Sequence, residues 1–336
     1  MAKENKKYIR INKRTIHIFL AIFWLIDGLM QLKSKMFTAN FANKVIAPNA
    51  MGQPLIISDT IHLFVKLFLL NPELFNILII LIQLSIAILI FLKRSTNIGL
   101  WLSVFWGLFV WFVGEGLGGI LSGHASFLSG SPGAAIIYVT LALVSLNRKN
   151  EGSNFPSPSF WLAYIWCAVW VGAALFQLFP RQNNIASIVV MLEHNAYSAP
   201  SWLAIIDLHL SHLMAYLGHS SLRSNGMYMS SINSVAKVKQ SYSGYWLILA
   251  ISLLELFVGM GIFFKNSIRK AALFSGIVFS FLIWIIIQNA GGYYLALSTD
   301  LNTGPLIIFM GLCVLSINDI NQGFEMAYLK VQRLLT

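Results

Sequence analysis

Phe91-Leu92-Lys93-Arg94-Ser95 returns at 263–267 as Phe263-Phe264-Lys265-Asn266-Ser267, and the residues around each copy return with it. Gln83 falls on Glu255, Trp111 on Trp284, Gly118-Gly119 on Gly291-Gly292, and the stretch 133–147 on 304–318. Nearer the front, Trp24 pairs with Trp170, Gln31 with Gln177, Asn49-Ala50 with Asn195-Ala196 and Pro54 with Pro200. Self-similarity on this scale reads as a duplicated unit, 1–150 and 151–336, and not as a short solenoid repeat.

What the unit is made of follows from composition. The chain is 57% hydrophobic and only 10% charged, well below the quarter or so of charged residues in soluble domains. Its apolar runs are long enough for a hydrocarbon core of about 30 Å, which takes roughly 20 helical residues. Within lipid every backbone N–H and C=O needs an internal partner, which leaves helices or a closed barrel. Runs such as 74–92 show no two-residue alternation, so helices are expected. Eight spans are read, at about 16–32, 74–92, 97–114, 133–147, 159–179, 245–264, 271–288 and 304–318. The expected fold is therefore all-α, a polytopic membrane bundle of two parallel four-helix repeats.

A net charge of +11 would suit a nucleic-acid binder, but its distribution argues against one. Lys3, Lys6, Lys7, Arg10, Lys13, Arg14, Lys93, Arg94, Arg148, Lys149, Lys265, Arg269, Lys270, Lys330 and Arg333 all fall on one side of the proposed spans. That is the positive-inside bias, helped by anionic lipid headgroups. It predicts a multi-pass cell-membrane protein with both termini cytoplasmic. The chain then meets lipid and does not meet nucleic acid. Cys167 and Cys313 each lie inside a span, which argues against disulfides and thiol relay chemistry. Most loop material falls on the outer side, including the Ser- and Asn-rich stretch near 218–243, expected to be a loop.

Several polar groups stand out against this background. Asp27 lies thirteen residues beyond Arg14, roughly 20 Å up the first helix, and an intramembrane carboxylate defaults to a functional role. It could also be a boundary residue paired with Lys33 or Lys35. Gln31 shares its face one turn on. Gln83 and Glu255, at matching positions, would either hold a ligand and share a proton or simply join helices. Gly114-Glu115-Gly116-Leu117-Gly118-Gly119 reads as a turn that needs positive φ at its glycines. Glu115 and His124 are its titratable candidates, and Gly118 and Gly119 could approach a ligand through their backbone. No Walker lysine follows, so it is not a phosphate loop. His194, His209 and His212 have spacings that could ligate a metal, or could be plain hydrogen-bonding groups. The candidates are thus Asp27, Glu115 and His124 for proton chemistry, Gln31, Gln83, Glu255, Gly118 and Gly119 for ligand binding, and the three histidines for metal.

Four helices per unit, Asp27-Gly28 in the first helix and a Gly-rich turn before the last together resemble the DoxX/DoxD-like membrane family. The resemblance covers each half, as a tandem fusion. It implies a quinone-linked redox role, as in the membrane part of a thiosulfate:quinone oxidoreductase, with quinone as cofactor and a partner redox subunit. The residues equally allow a non-enzymatic protein, handling a small solute or metal or serving as a scaffold for an enzyme.

Overall fold

The computed structural model describes residues 11–123, 125–146, 158–178, 185–217, 242–264 and 266–316. His124 and nearly all of the Ser- and Asn-rich stretch fall outside them. Among the described residues the chain is helical, without strands. The first half contains α1 (Lys13–Met30), α2 (Leu55–Leu70), α3 (Pro72–Phe91), α4 (Thr96–Phe109) and α5 (Ala134–Ser145). The second contains α6 (Pro158–Leu178), α7 (Ile185–Ser198), α8 (Ser201–Leu217), α9 (Tyr242–Met260), α10 (Asn266–Leu282) and α11 (Thr303–Leu315).

Helix starts follow the local sequence. Asn12 caps α1 by accepting from Thr15 N at 2.9 Å. Asn71 caps α3 by accepting from Leu74 N at 3.1 Å, with Pro72 at the first helical position and Glu73 in the first turn. Arg14 donates to the Phe91 carbonyl at 2.7 Å and so closes the C-terminus of α3 from a neighbouring helix.

Five helical segments are long and apolar enough to cross a membrane: Pro72–Phe91, Thr96–Gly114, Trp161–Leu178, Trp246–Phe263 and Ser267–Ile287. The expected eight are therefore not all met. α1 is 18 residues long but carries Lys13, Arg14 and Asp27. α5 and α11, at 12 and 13 residues, reach only about 20 Å at 1.5 Å per residue, short of a hydrocarbon core.

α1, α3, α4 and α5 pack on one another, as do α6, α9, α10 and α11. The two groups meet through α5 against α6 and α11, and Phe19 stacks on Phe309 at 3.6 Å. α2 lies over the short turns of 34–50 and makes a separate apolar cluster around Met36, Phe41, Ile61 and Phe68.

α4 and α10 end alike. Each passes into a π turn, Val110–Gly114 and Ile283–Ile287, then a tight turn with left-handed residues, Leu117 and Gly118 in one and Ala290 and Gly291 in the other. Asn49 donates to the carbonyls of Val45 and Gly114; Asn195 donates to those of Ile286 and Ile287. Trp111 donates to Pro132 O at 2.7 Å, and Trp284 to Leu301 O at 2.9 Å. These contacts place Pro132 opposite Leu301 and Gly133 opposite Asn302. The sequence register, Gly133 on Gly304, is thus displaced by two residues at the start of the last helix.

A Cβ on Gly118, where φ is +62°, would run into the Pro132 carbonyl, whereas one on Gly172 meets nothing within 4 Å. Gly118→Ala should therefore cost about 2 kcal/mol or more, and Gly172→Ala should be neutral or stabilising by about 0.5–1 kcal/mol. Thermal unfolding in detergent checks this; equal melting temperatures for the two variants would refute the strain assigned to the turn.

Candidate functional site

The last turns of α1 carry Asp27 and Gln31 inward, α3 brings Gln83, α4 brings Trp106 and α5 brings Tyr138. All five line one pocket of about 90 Å³. By the rule of about 10–15 Å³ per water it has room for several waters or a small headgroup. Asp27, Gln31 and Gln83 are 3, 2 and 6% exposed, so their polar atoms need partners in the protein or in a ligand. Tyr138 lies close enough to Asp27 for the two to act on each other electrostatically. Trp24 stacks on Tyr138 at 4.6 Å and donates to Ser103 at 2.8 Å, fixing both rings. Asn76 holds the Gln31 carbonyl at 2.9 Å. Asp27 Oδ1, Gln31 Oε1, Gln83 Oε1 and Trp106 Nε1 remain buried with no protein partner. Phe64 and Phe109, edge to face at 5.4 Å, form part of the apolar wall.

A second, wider cavity of about 440 Å³ is lined by Asn49, Gln53, Ser122, Ser129, Ser131 and Asn302, among others. Gly114, Glu115, Ala134 and Asp300 line both cavities and so form the neck between them. Glu115 follows the π turn, and its carboxyl accepts from Ala135 N at 3.1 Å, capping the start of α5. Burial pushes this carboxyl up to about 8; Asp300 pushes the same way, against the N–H groups of Ala135 and Ala134.

Gly118 and Gly119 line the wide cavity, where their backbone builds the wall; the Gly118 carbonyl accepts from Ser131 at 2.6 Å. Glu255 is not brought to Gln83. It lies buried in the second half, where Gln177 Nε2 donates to it at 3.3 Å. His124 lies outside the described residues. His194, on α7, and His209 and His212, on α8, are exposed and line neither cavity. Among the described residues no three His, Cys, Asp or Glu side chains gather as metal ligands.

Tyr138, Trp106 and Asp300 were not singled out by sequence reasoning. Asp300 sits in Ser298-Thr299-Asp300-Leu301-Asn302, a string that reads as a helix cap, and Asn302 does cap α11, accepting from Thr303 N at 2.7 Å. Nothing in that string shows that it reaches the other half.

No protein-family model, characterised protein or solved structure matches this chain. The arrangement is an aromatic-walled pocket lined by the carboxyl of Asp27, the amides of Gln31 and Gln83 and the indole N–H of Trp106, joined through a neck carrying Glu115 and Asp300 to a wider polar cavity. It can both accept and donate hydrogen bonds to a small polar group.

In the second half Gln288 Oε1 accepts from Gly304 N at 3.1 Å, as Glu115 does from Ala135. Glu115→Gln should therefore keep the cap. The Glu115 carboxyl has a folded value of about 8 against an ordinary 4.5, so the folded state holds a proton that the unfolded state has lost between those values. Stability should fall as pH rises from about 4.5 to about 8 and flatten above. Melting temperatures across pH should show that slope in the native protein and a shallower one in Glu115→Gln; identical slopes would exclude Glu115 as its source.

Proposed function

We propose that this is a multi-pass cell-membrane protein built from two parallel four-helix units, 1–150 and 151–336, with cytoplasmic termini, and that its first unit binds a quinol-type headgroup. The observation that carries the reading is the set of four unpartnered buried atoms converging on one aromatic-walled pocket. Each costs about 1–3 kcal/mol if left unmet, so these atoms call for polar partners inside the pocket, from a ligand or from water. A quinol would supply two-electron, two-proton redox chemistry when bound. Its hydroxyls match the acceptors Asp27, Gln31 and Gln83, an oxygen suits the Trp106 N–H, and the flat ring suits Phe64 and Phe109. Tyr138 stands beside Asp27 in the same pocket. Glu115, at the neck, is placed to exchange protons with the wide cavity, which on this topology opens to the outer side. The resemblance to the DoxX/DoxD-like family supports the same ligand class.

A second reading, a site for a small organic cation, is favoured by the carboxyls of Asp27, Glu115 and Asp300 beside aromatic rings. One titration separates the two. Quenching of tryptophan fluorescence in lipid nanodiscs is followed with a short-chain benzoquinol and with a tetraalkylammonium ion. Saturable quenching by the quinol is expected, weakened roughly 10- to 100-fold in Asp27→Asn and in Gln83→Leu. Native affinity in both variants, or saturation by the ammonium ion alone, would end the quinol reading.

A further inference from the structure

We propose that segment 293–302 of the second half is a strap across the first half's site, tied by Lys33, and that Asp300 on this strap is a specificity residue admitting neutral and cationic ligands to the inner pocket while refusing anions.

Lys33 stands three residues beyond the end of α1, the helix that supplies Asp27 and Gln31. Its ammonium donates to the carbonyls of Tyr293 at 3.0 Å, Leu295 at 2.8 Å and Ser298 at 3.1 Å. An ammonium has three donors, and all three are spent on a segment some 260 residues away in sequence. Leu297, from the same segment, packs on the apolar cluster around Phe41 and Phe68 of the first half. Ser298 Oγ donates to Gly291 O at 2.7 Å, anchoring the strap to its own turn. One polar clamp, one apolar contact and one internal tie therefore fix the strap's position.

Asp300 is held in turn. Thr299 Oγ1 donates to its Oδ2 at 2.7 Å, and Asn302 N donates to its Oδ1. It lines both cavities, and its charge acts on Asp27, Glu115 and Tyr138. Among the described residues no lysine, arginine or histidine lines either cavity. The Lys33 ammonium feels the Asp300 charge, but its donors are spent on backbone carbonyls and it lines neither cavity. A cleft whose facing charges are carboxylates concentrates positive ligands and repels negative ones, by factors on the order of 10 to 1,000. The second half thus completes the first half's site. This builds on the two-cavity geometry and not on the quinol reading.

Thiol labelling tests it without any ligand. Cys167 and Cys313 are replaced by alanine, and a single reporter is introduced as Ala134→Cys at the neck or Ser122→Cys in the wide cavity. Each is reacted in nanodiscs with a trimethylammonium-bearing methanethiosulfonate and with its sulfonate counterpart, rates being normalised to those with a free thiol. The cationic reagent should be favoured at Ala134→Cys by about tenfold or more. Asp300→Asn should bring the ratio within about threefold, Lys33→Met should do the same by releasing the strap, and Lys33→Arg should retain the native ratio. Ser122→Cys shows in every variant that the cavity is intact. Equal rates at Ala134→Cys, no reaction there with either reagent, or a ratio untouched by Asp300→Asn and Lys33→Met would overturn the proposal. Quinol titration of the same proteins separates this outcome from failure of the quinol reading, since the labelling ratio does not depend on it.

Discussion

The ends of α4 and α10 free backbone carbonyls in an apolar setting, and the rest of the structure is arranged around satisfying them. A carbonyl left unmet in such surroundings costs several kcal/mol. The amides of Asn49 and Asn195 take up those at the π turns. Gln53 donates to Gly116 O at 2.7 Å, and Ser131 to Gly118 O. The indoles of Trp111 and Trp284 then reach the chain just before the next helix. Because the break ends where it does, the residue after it falls at the start of α5. That position turns Glu115 into a cap and, in the same stroke, into the wall between two cavities.

Much of this was legible in the sequence because the constraint uses residue types that stand out in an apolar chain. The paired tryptophans, the paired asparagines and the diglycine were visible as matching positions before their hydrogen bonds were known. Asp27, Gln31 and Gln83 were conspicuous for cost alone, and they share a pocket. Glu115, read beside a turn, sits at its neck. What stayed hidden depends on distance along the chain. Tyr138 looks like one more core aromatic until Asp27 is placed beside it, and Asp300 looks like part of a helix cap until Lys33 draws its loop across. Gln83 and Glu255 were visible as counterparts, but matching positions in two units need not face each other. The short helices failed as full spans for a simple reason: 12 or 13 residues give too little rise, whatever their hydropathy.

The two halves use one set of backbone solutions and differ in what is left unpartnered around them. Where the first half has Asp27, the second has Ala173; where the first has Gln83, the second has Glu255, to which Gln177 donates. Gln31 and Gln83 both open onto a pocket in the first half, whereas Gln177 and Glu255 touch each other in the second, with Gln177 Oε1 and Glu255 Oε2 still unpartnered. The capping positions carry the same contrast. Gln288 bonds to both Gly304 N and Thr303 Oγ1 with an amide that carries no charge, so a neutral side chain meets every structural demand of that corner. A carboxyl at 115 adds a desolvation cost that the corner does not require. What the carboxyl adds is a proton that can come and go, at the one place where the inner pocket meets the wide cavity and where the second half delivers Asp300. Glu115 and Asp300 thus bring two carboxyls to the wall shared by the two cavities, where the matching corner of the second half carries the uncharged Gln288.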